Sequence, residues 1–111
     1  MTRPSAPLPV VVLVSGYGSN LQAILDRAAT GAIPVTLSGV VSDRPEAEAL
    51  KRARDAGIAT EVVRAAEHPD KADFDAALIG AVDRHAPGLV VLAGFMRILS
   101  PAFVRHYEGR M

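Results

Sequence analysis

The chain has 111 residues, half of them hydrophobic, which is enough for one domain around a sizeable core or a large part of one. Twelve basic and twelve acidic residues cancel to a formal net charge of zero, so composition gives no electrostatic footprint for nucleic acid or an anionic membrane. There is no cysteine, which excludes a disulfide framework and a thiolate-held metal, and no run approaches the ~18 apolar residues of a membrane-spanning helix.

These exclusions make the cytoplasm the default location. They leave small molecules as the expected partners, with no nucleic acid, no membrane and no metal, and they leave oligomeric state open. The N-terminus, "MTRPSAPLP", is proline-rich and lacks the apolar core and cleavage site of a signal peptide. Residues 1–8 read as a flexible leader, and residues 9–111 as part of a single domain.

The elements then follow in order. Val10 to Val14 is a continuous β-branched run, the pattern of a strand buried on both faces. Leu21, Ile24, Leu25 and Ala28 fall at i, i+3, i+4 and i+7, the apolar stripe of a helix that Gly31 is placed to end. "VTLSGVV", Val35 to Val41, reads as a second strand. "PEAEALKRARDAG" is rich in helix formers and stops at Gly57. "ATEVV" is a short third strand. Asp70 is a candidate cap for a helix whose Phe74, Leu78 and Val82 share one face, closed by Pro87-Gly88. "LVVLA", Leu89 to Ala93, reads as a fourth buried strand. Ser100-Pro101 has the form of a helix start, with serine as cap and proline in the first turn.

Strands that alternate with helices predict an α/β fold, a Rossmann-like open parallel sheet with helices on both faces. Right-handed crossovers and a central first strand give the strand order 3-2-1-4. Ligands of such sheets sit beyond the carboxyl ends of the strands where the order reverses, here between strands one and four. Two segments reach that crevice, "SGYGSN" after strand one and "GFMRILSP" after strand four.

The first has the makings of an anion site. The first N–H groups of a helix lack intrahelical partners and the helix dipole favours negative charge there. Gly16 and Gly18 can take positive φ and let a ligand approach the backbone. Ser19 is a candidate cap as well as a hydroxyl donor, and Asn20 can reach a sugar hydroxyl or an amide. Gly16-x-Gly18 also matches half of a dinucleotide fingerprint, and Asp43 falls about where a ribose-binding carboxylate would. The third glycine of that fingerprint is replaced by Leu21, and there is no Gly-Lys-Ser/Thr. A tight turn that holds no ligand, a ribose-phosphate site and a dinucleotide site all remain open at this point. In the second segment Met96 and Leu99 read equally as core residues, and Arg97 as a solvated or salt-bridged one.

Taken together, "VSGYGSNLQAIL" and "VVLAGFMRILSPAFV" resemble the N-terminal half of the phosphoribosylglycinamide formyltransferases, with both motifs at the expected order and spacing. The resemblance runs from about Val10 to Met111. It implies the formyltransferase fold and the transfer of a formyl group from 10-formyltetrahydrofolate, as co-substrate, to the amine of glycinamide ribonucleotide in purine synthesis. It assigns Gly18, Ser19 and Asn20 to the phosphoribosyl part of the ribonucleotide. It assigns Met96, Arg97, Ile98 and Leu99 to the pterin pocket, and Lys71 stands where the family often has a folate-contacting arginine. Ser42-Asp43 departs from the Ser-Asn expected after strand two. The family's catalytic Asn-x-His and later Asp are expected beyond "YEGRM", so no catalytic residue is expected in the chain, which reads as a truncated domain. His68, His85 and His106 show neither metal-ligand spacing nor a recognisable catalytic pairing. The competing functions are an NAD-type Rossmann oxidoreductase domain and a non-catalytic nucleotide-binding module.

Overall fold

A computed structural model describes residues 7–111. The elements run β1 (Leu8–Val14), α1 (Ser19–Ala29), β2 (Val35–Ser42), α2 (Glu48–Asp55), β3 (Thr60–Val62), a short 3-10 turn (Ala65–Glu67), α3 (Lys71–Asp83), β4 (Leu89–Leu92) and α4 (Pro101–His106). The four strands form one parallel sheet in the order β3-β2-β1-β4, as the alternating pattern predicts. β1 begins at Leu8, two residues ahead of the expected run, and residues 1–6 of the expected leader lie outside the described residues.

The two-sided burial of β1 organises the core. Val10, Val12 and Val14 pack against α1 and α2, whereas Val11 and Leu13 pack against α3 and α4. Side chains alternate across a strand, so one valine-rich run supplies both layers. Each such side chain contributes about 1.5–3 kcal/mol when removed from water. β2 keeps step only because its register shifts between Val10 and Val11: Val10 pairs with Leu37, but Val11 pairs with Gly39. The extra residue lets Leu37 and Val40, three apart, face the same α1/α2 layer while Val41 faces the other.

The helices form largely where the sequence places them. Leu21 and Leu25 of α1 are buried and Ile24 and Ala28 pack beside them. Asp70 caps α3, its carboxylate accepting from the Ala72 N–H at 2.9 Å. Ser100 caps α4, accepting from the Phe103 N–H at 3.1 Å, with Pro101 in the first turn. α2 starts only at Glu48, because Arg44 to Ala47 forms a turn closed by the Ala47 N–H on the Arg44 carbonyl.

Two expectations change. β4 is not a fully buried strand: only Val90 is buried and Leu92 is exposed, because the strand lies at the sheet edge. That edge is partly covered, since the Val90 N–H donates to the Arg110 carbonyl at 2.6 Å. Two histidines without a pairing recognisable in sequence also have carboxylate partners in space. His106 meets Asp83 at 2.8 Å, and Tyr107 donates its hydroxyl to the same carboxylate at 2.7 Å, which ties α4 to α3. Burial, with the Asp83 carboxylate beside it, pushes the Tyr107 phenol above its ordinary range.

His85 lies against Gly39, where an added Cβ would stand 2.5 Å from the imidazole, and it meets Glu61 of β3 at 3.0 Å. Arg84 donates to the other Glu61 oxygen. Partial burial disfavours the Glu61 carboxylate, but the bonds from Arg84 and His85 outweigh it and hold its pKa below the usual glutamate value. A lowered carboxylate pKa stabilises the fold above the ordinary value of about 4.3 and loses that contribution as pH falls through the lowered one. Glu61→Gln is therefore expected to cost about 1 kcal/mol at neutral pH and to flatten the loss of stability between about pH 5 and pH 3. Thermal melts across that range test this, and identical acid slopes in both proteins would remove Glu61 as the cause.

Candidate functional site

The site lies at the carboxyl ends of β1, β2 and β4. The chain leaves β1 at Ser15, β2 at Ser42-Asp43 and β4 at Ala93, and side chains from these three exits meet. The Ser15 hydroxyl donates to Asp43 Oδ1 at 2.7 Å. The Met96 N–H donates to the same hydroxyl at 2.8 Å. Arg97 Nε–H donates to Asp43 Oδ2 at 2.9 Å. The Asp43 side chain is 1 % exposed, whereas that of Arg97 is 44 % exposed. A buried carboxylate is tolerated when both oxygens have donors, and here a hydroxyl and a guanidinium fill that role.

On one side of this knot is the turn into α1. Gly18 has φ +91° and is the residue that caps the helix, so Ser19 is the first helical residue and not the expected cap. Gly16, expected to take positive φ, does not; Gly18 alone does so in this turn. The first helical bond runs from the Gln22 N–H to the Gly18 carbonyl. The N–H groups of Ser19, Asn20 and Leu21 precede that bond, and helix geometry leaves them without intrahelical partners. Ser19 and Asn20 are exposed, and Leu21 anchors the turn in the core. Exposed N–H groups at a positive helix end suit an anion approaching from solvent.

On the other side is an open cleft of about 550 Å³. Met96, Arg97 and Ile98 form one wall, and His68, Lys71 and Phe74 face them. Met96 is 72 % and Ile98 84 % exposed, so the alternative of Met96 as a core residue does not hold. Two large apolar side chains left in solvent beside a cleft are suited to cover a flat ring. Leu99 does pack against the α3/α4 core and does not line the cleft. Arg97 lies 5.3 Å over the Phe74 ring as well as on Asp43, so its guanidinium is held from two sides. Lys71, the first residue of α3, donates from Nζ to the Ile98 carbonyl at 3.3 Å and so sits on the 96–99 segment.

Of the site residues expected from sequence, the structure places Met96, Arg97, Ile98 and Lys71 on one cleft, and Gly18, Ser19 and Asn20 on the neighbouring turn. Sequence reasoning missed Ser15, His68 and the cleft-facing role of Phe74. It noted Asp43 only as falling where a ribose-binding carboxylate would, and in the structure both its oxygens are engaged by Ser15 and Arg97. The available signal was position: Ser15, Asp43 and Arg97 each follow a strand at its carboxyl end.

The chain matches the model of a protein family described as formyl transferase over residues 8–111. It belongs to the formyl transferase family. It is 53 % identical over 102 residues to the phosphoribosylglycinamide formyltransferase of Escherichia coli strain K12, a match that covers 92 % of this chain and 48 % of that protein. Among solved structures, the phosphoribosylglycinamide formyltransferase of Coxiella burnetii superposes with a TM-score of 0.88 at 47 % identity, over 95 % of this chain and 49 % of that one. The glycinamide ribonucleotide transformylase 1 of Symbiobacterium toebii superposes with a TM-score of 0.90 at 38 % identity, over 96 % of this chain and 50 % of that one. The formyl transferase chain thus spans about half the length of the curated relatives it matches.

Asp43→Asn keeps the shape of the knot but turns an amide donor toward Arg97 or Ser15. It is expected to cost about 1–3 kcal/mol, read as a lowered denaturation midpoint at unchanged m-value. A stability within about 0.5 kcal/mol of the parent would show that the knot does not hold the two loops.

Proposed function

We propose that this chain forms the ligand-binding half of a phosphoribosylglycinamide formyltransferase. Its substrates in this reading are glycinamide ribonucleotide and, as formyl donor, 10-formyltetrahydrofolate. One observation carries the reading: an anion-suited helix start and an apolar cleft lie side by side at the β1/β4 switch point, joined by the Met96–Ser15–Asp43–Arg97 bonds. The family membership and the names of the relatives agree with it.

The Gly18–Asn20 turn holds the phosphoribosyl end of the ribonucleotide, with backbone N–H groups on the phosphate and the Ser19 and Asn20 side chains on oxygen acceptors. The cleft holds the folate, with Met96, Ile98 and Phe74 against the flat ring. Lys71 supplies positive charge at the cleft, and Arg97, paired with Asp43, supplies its remaining guanidinium N–H donors. Leu99 acts from behind by fixing the 96–98 segment on the core. Binding both substrates at one switch point brings the ribonucleotide amine toward the formyl carbon. A carbon–nitrogen bond to that amine forms, the bond from the formyl carbon to folate N10 breaks, and a proton passes from the amine to the leaving folate nitrogen.

The chemical step requires groups that stabilise the oxyanion and move the proton. His85 and His106 do not line the cleft and are paired with Glu61 and Asp83. In this reading the family's Asn-x-His and Asp supply that chemistry from the half of the domain outside this match. A cytoplasmic location suits these substrates, and among the described residues no helix is long and apolar enough to cross a membrane.

Asn20→Ala in the full-length protein is expected to weaken glycinamide ribonucleotide binding about tenfold and to leave folate binding within twofold. Calorimetric titration with each ligand separates the two. Equal loss of both, or loss of neither, would overturn the assignment of the turn. Micromolar binding of a nicotinamide dinucleotide would favour the oxidoreductase reading instead.

A further inference from the structure

The turn into α1 has a feature that the reading above does not use. Helices commonly begin with a side-chain cap, but α1 has none: Gly18 occupies the cap position and no side chain accepts from the first turn. A glycine-rich turn without a cap is held poorly by its own residues, because glycine has the largest backbone freedom to lose. What fixes it here comes from α2.

Arg52 of α2 reaches across to the turn. Its Nε–H donates to the Tyr17 carbonyl at 3.0 Å, and its Nη1–H donates to Gln22 Oε1 at 3.1 Å. Its guanidinium lies 4.4 Å from the centre of the Tyr17 ring, which is itself 69 % exposed. Beside it, the Ala49 N–H donates to the Gly16 carbonyl at 3.1 Å. Gly18 sits directly on α2: an added Cβ would stand 2.7 Å from Ala49 Cα and 3.1 Å from Arg52 Cδ. The planar fork of one arginine thus engages the backbone before the glycine and the side chain one turn after it, and clamps the turn from both ends. A lysine in its place would have a single rotatable ammonium and no planar face for Tyr17.

We propose that Arg52 is a positioning residue, which holds the Gly16–Gly18 turn in the conformation that aims the Ser19 and Asn20 N–H groups at an anionic ligand. The ligand part rests on the reading of this turn as the phosphoribosyl site, whereas the clamp itself does not. Arg52 acts through the turn, with its fork committed to Tyr17 and Gln22, so its effect is on the order of the loop and on the ligand the loop holds.

The test uses the full-length protein with Arg52→Ala and Arg52→Lys. Amide hydrogen exchange in the free protein reads the clamp directly. Both variants are expected to speed exchange at Gln22 and Ala49, whose N–H groups bond the Gly18 and Gly16 carbonyls of the turn, about tenfold, with the amides of β1 unchanged. Titration reads the consequence: glycinamide ribonucleotide binding weakens about tenfold in both variants and folate binding stays within twofold. Exchange at Gln22 and Ala49 equal to that of the parent overturns the clamp. Recovery of both readouts by Arg52→Lys also overturns it, because charge alone would then suffice. Faster exchange without a change in ribonucleotide affinity overturns the link from clamp to ligand. A parent protein that fails to bind the ribonucleotide refutes the proposed function, and the exchange measurement still decides the clamp.

Discussion

The carboxylate of Asp43 is the point on which the arrangement of both loops depends. Removing a carboxylate from water costs several kcal/mol unless its oxygens are met by donors. Asp43 is met on one oxygen by the Ser15 hydroxyl and on the other by Arg97. Those donors belong to the exits of β1 and β4, and the carboxylate belongs to the exit of β2. Satisfying one buried charge therefore fixes three chain segments relative to each other. The Met96 N–H on Ser15 adds a second link between the β1 and β4 exits. A ligand spanning the α1 turn and the 96–98 wall meets a gap whose width is set before it arrives, so less ordering remains to be done on binding.

That knot works because the sheet beneath it is rigid and in register. β1 divides its side chains between two cores, so each helix layer presses on the same strand from opposite sides. The irregularity opposite Val10/Val11 then corrects the phase of β2, and Ser38 there donates to the Val10 carbonyl at 3.3 Å. Without the extra residue, Leu37 and Val40 would face opposite layers, and the Ser42-Asp43 exit would follow a strand out of phase with its core. The alignment of the two exits at the top of the sheet thus depends on a correction made near its base.

The fold was legible because its signals are local. Val10–Val14, the Leu21/Leu25 stripe and the Asp70 and Ser100 caps each depend on residues within a turn or a strand of one another. Chirality of the crossovers then leaves few orders for four parallel strands, and the observed one follows. The errors occur where structure depends on partners distant in sequence. Ser19 has the composition of a cap, yet Ala49 and Arg52, thirty or more positions later, pack against Gly18, and the glycine is the cap. β4 has the composition of a buried strand, but its burial depends on what lies beyond it in the sheet. The likeness to the formyltransferases pointed to the 96–99 segment but not to its internal division, in which Ile98 faces solvent and Leu99 the core. The role of Asp43 was open because its position after β2 also suits a ribose, and only the distances to Ser15 and Arg97 show that its oxygens are engaged.

A formal charge of zero gives the chain no net pull on anionic substrates of the kind proposed above. The structure resolves this by placing charge and dipole locally. The N-terminus of α1 contributes a partial positive charge through its backbone, which composition does not register. Lys71 stands on the cleft beside the Arg97–Asp43 pair, whereas Arg84 is paired with Glu61 and Lys51 with Asp55, away from it. Arg52 is committed to the turn by two bonds and a ring contact. Net charge governs long-range attraction, which salt screens within about 8–10 Å, whereas short hydrogen bonds from fixed donors govern what is held. In the proposed reading, an anionic ligand is therefore held by the geometry of an uncapped turn, against which Ala49 and Arg52 of α2 are packed.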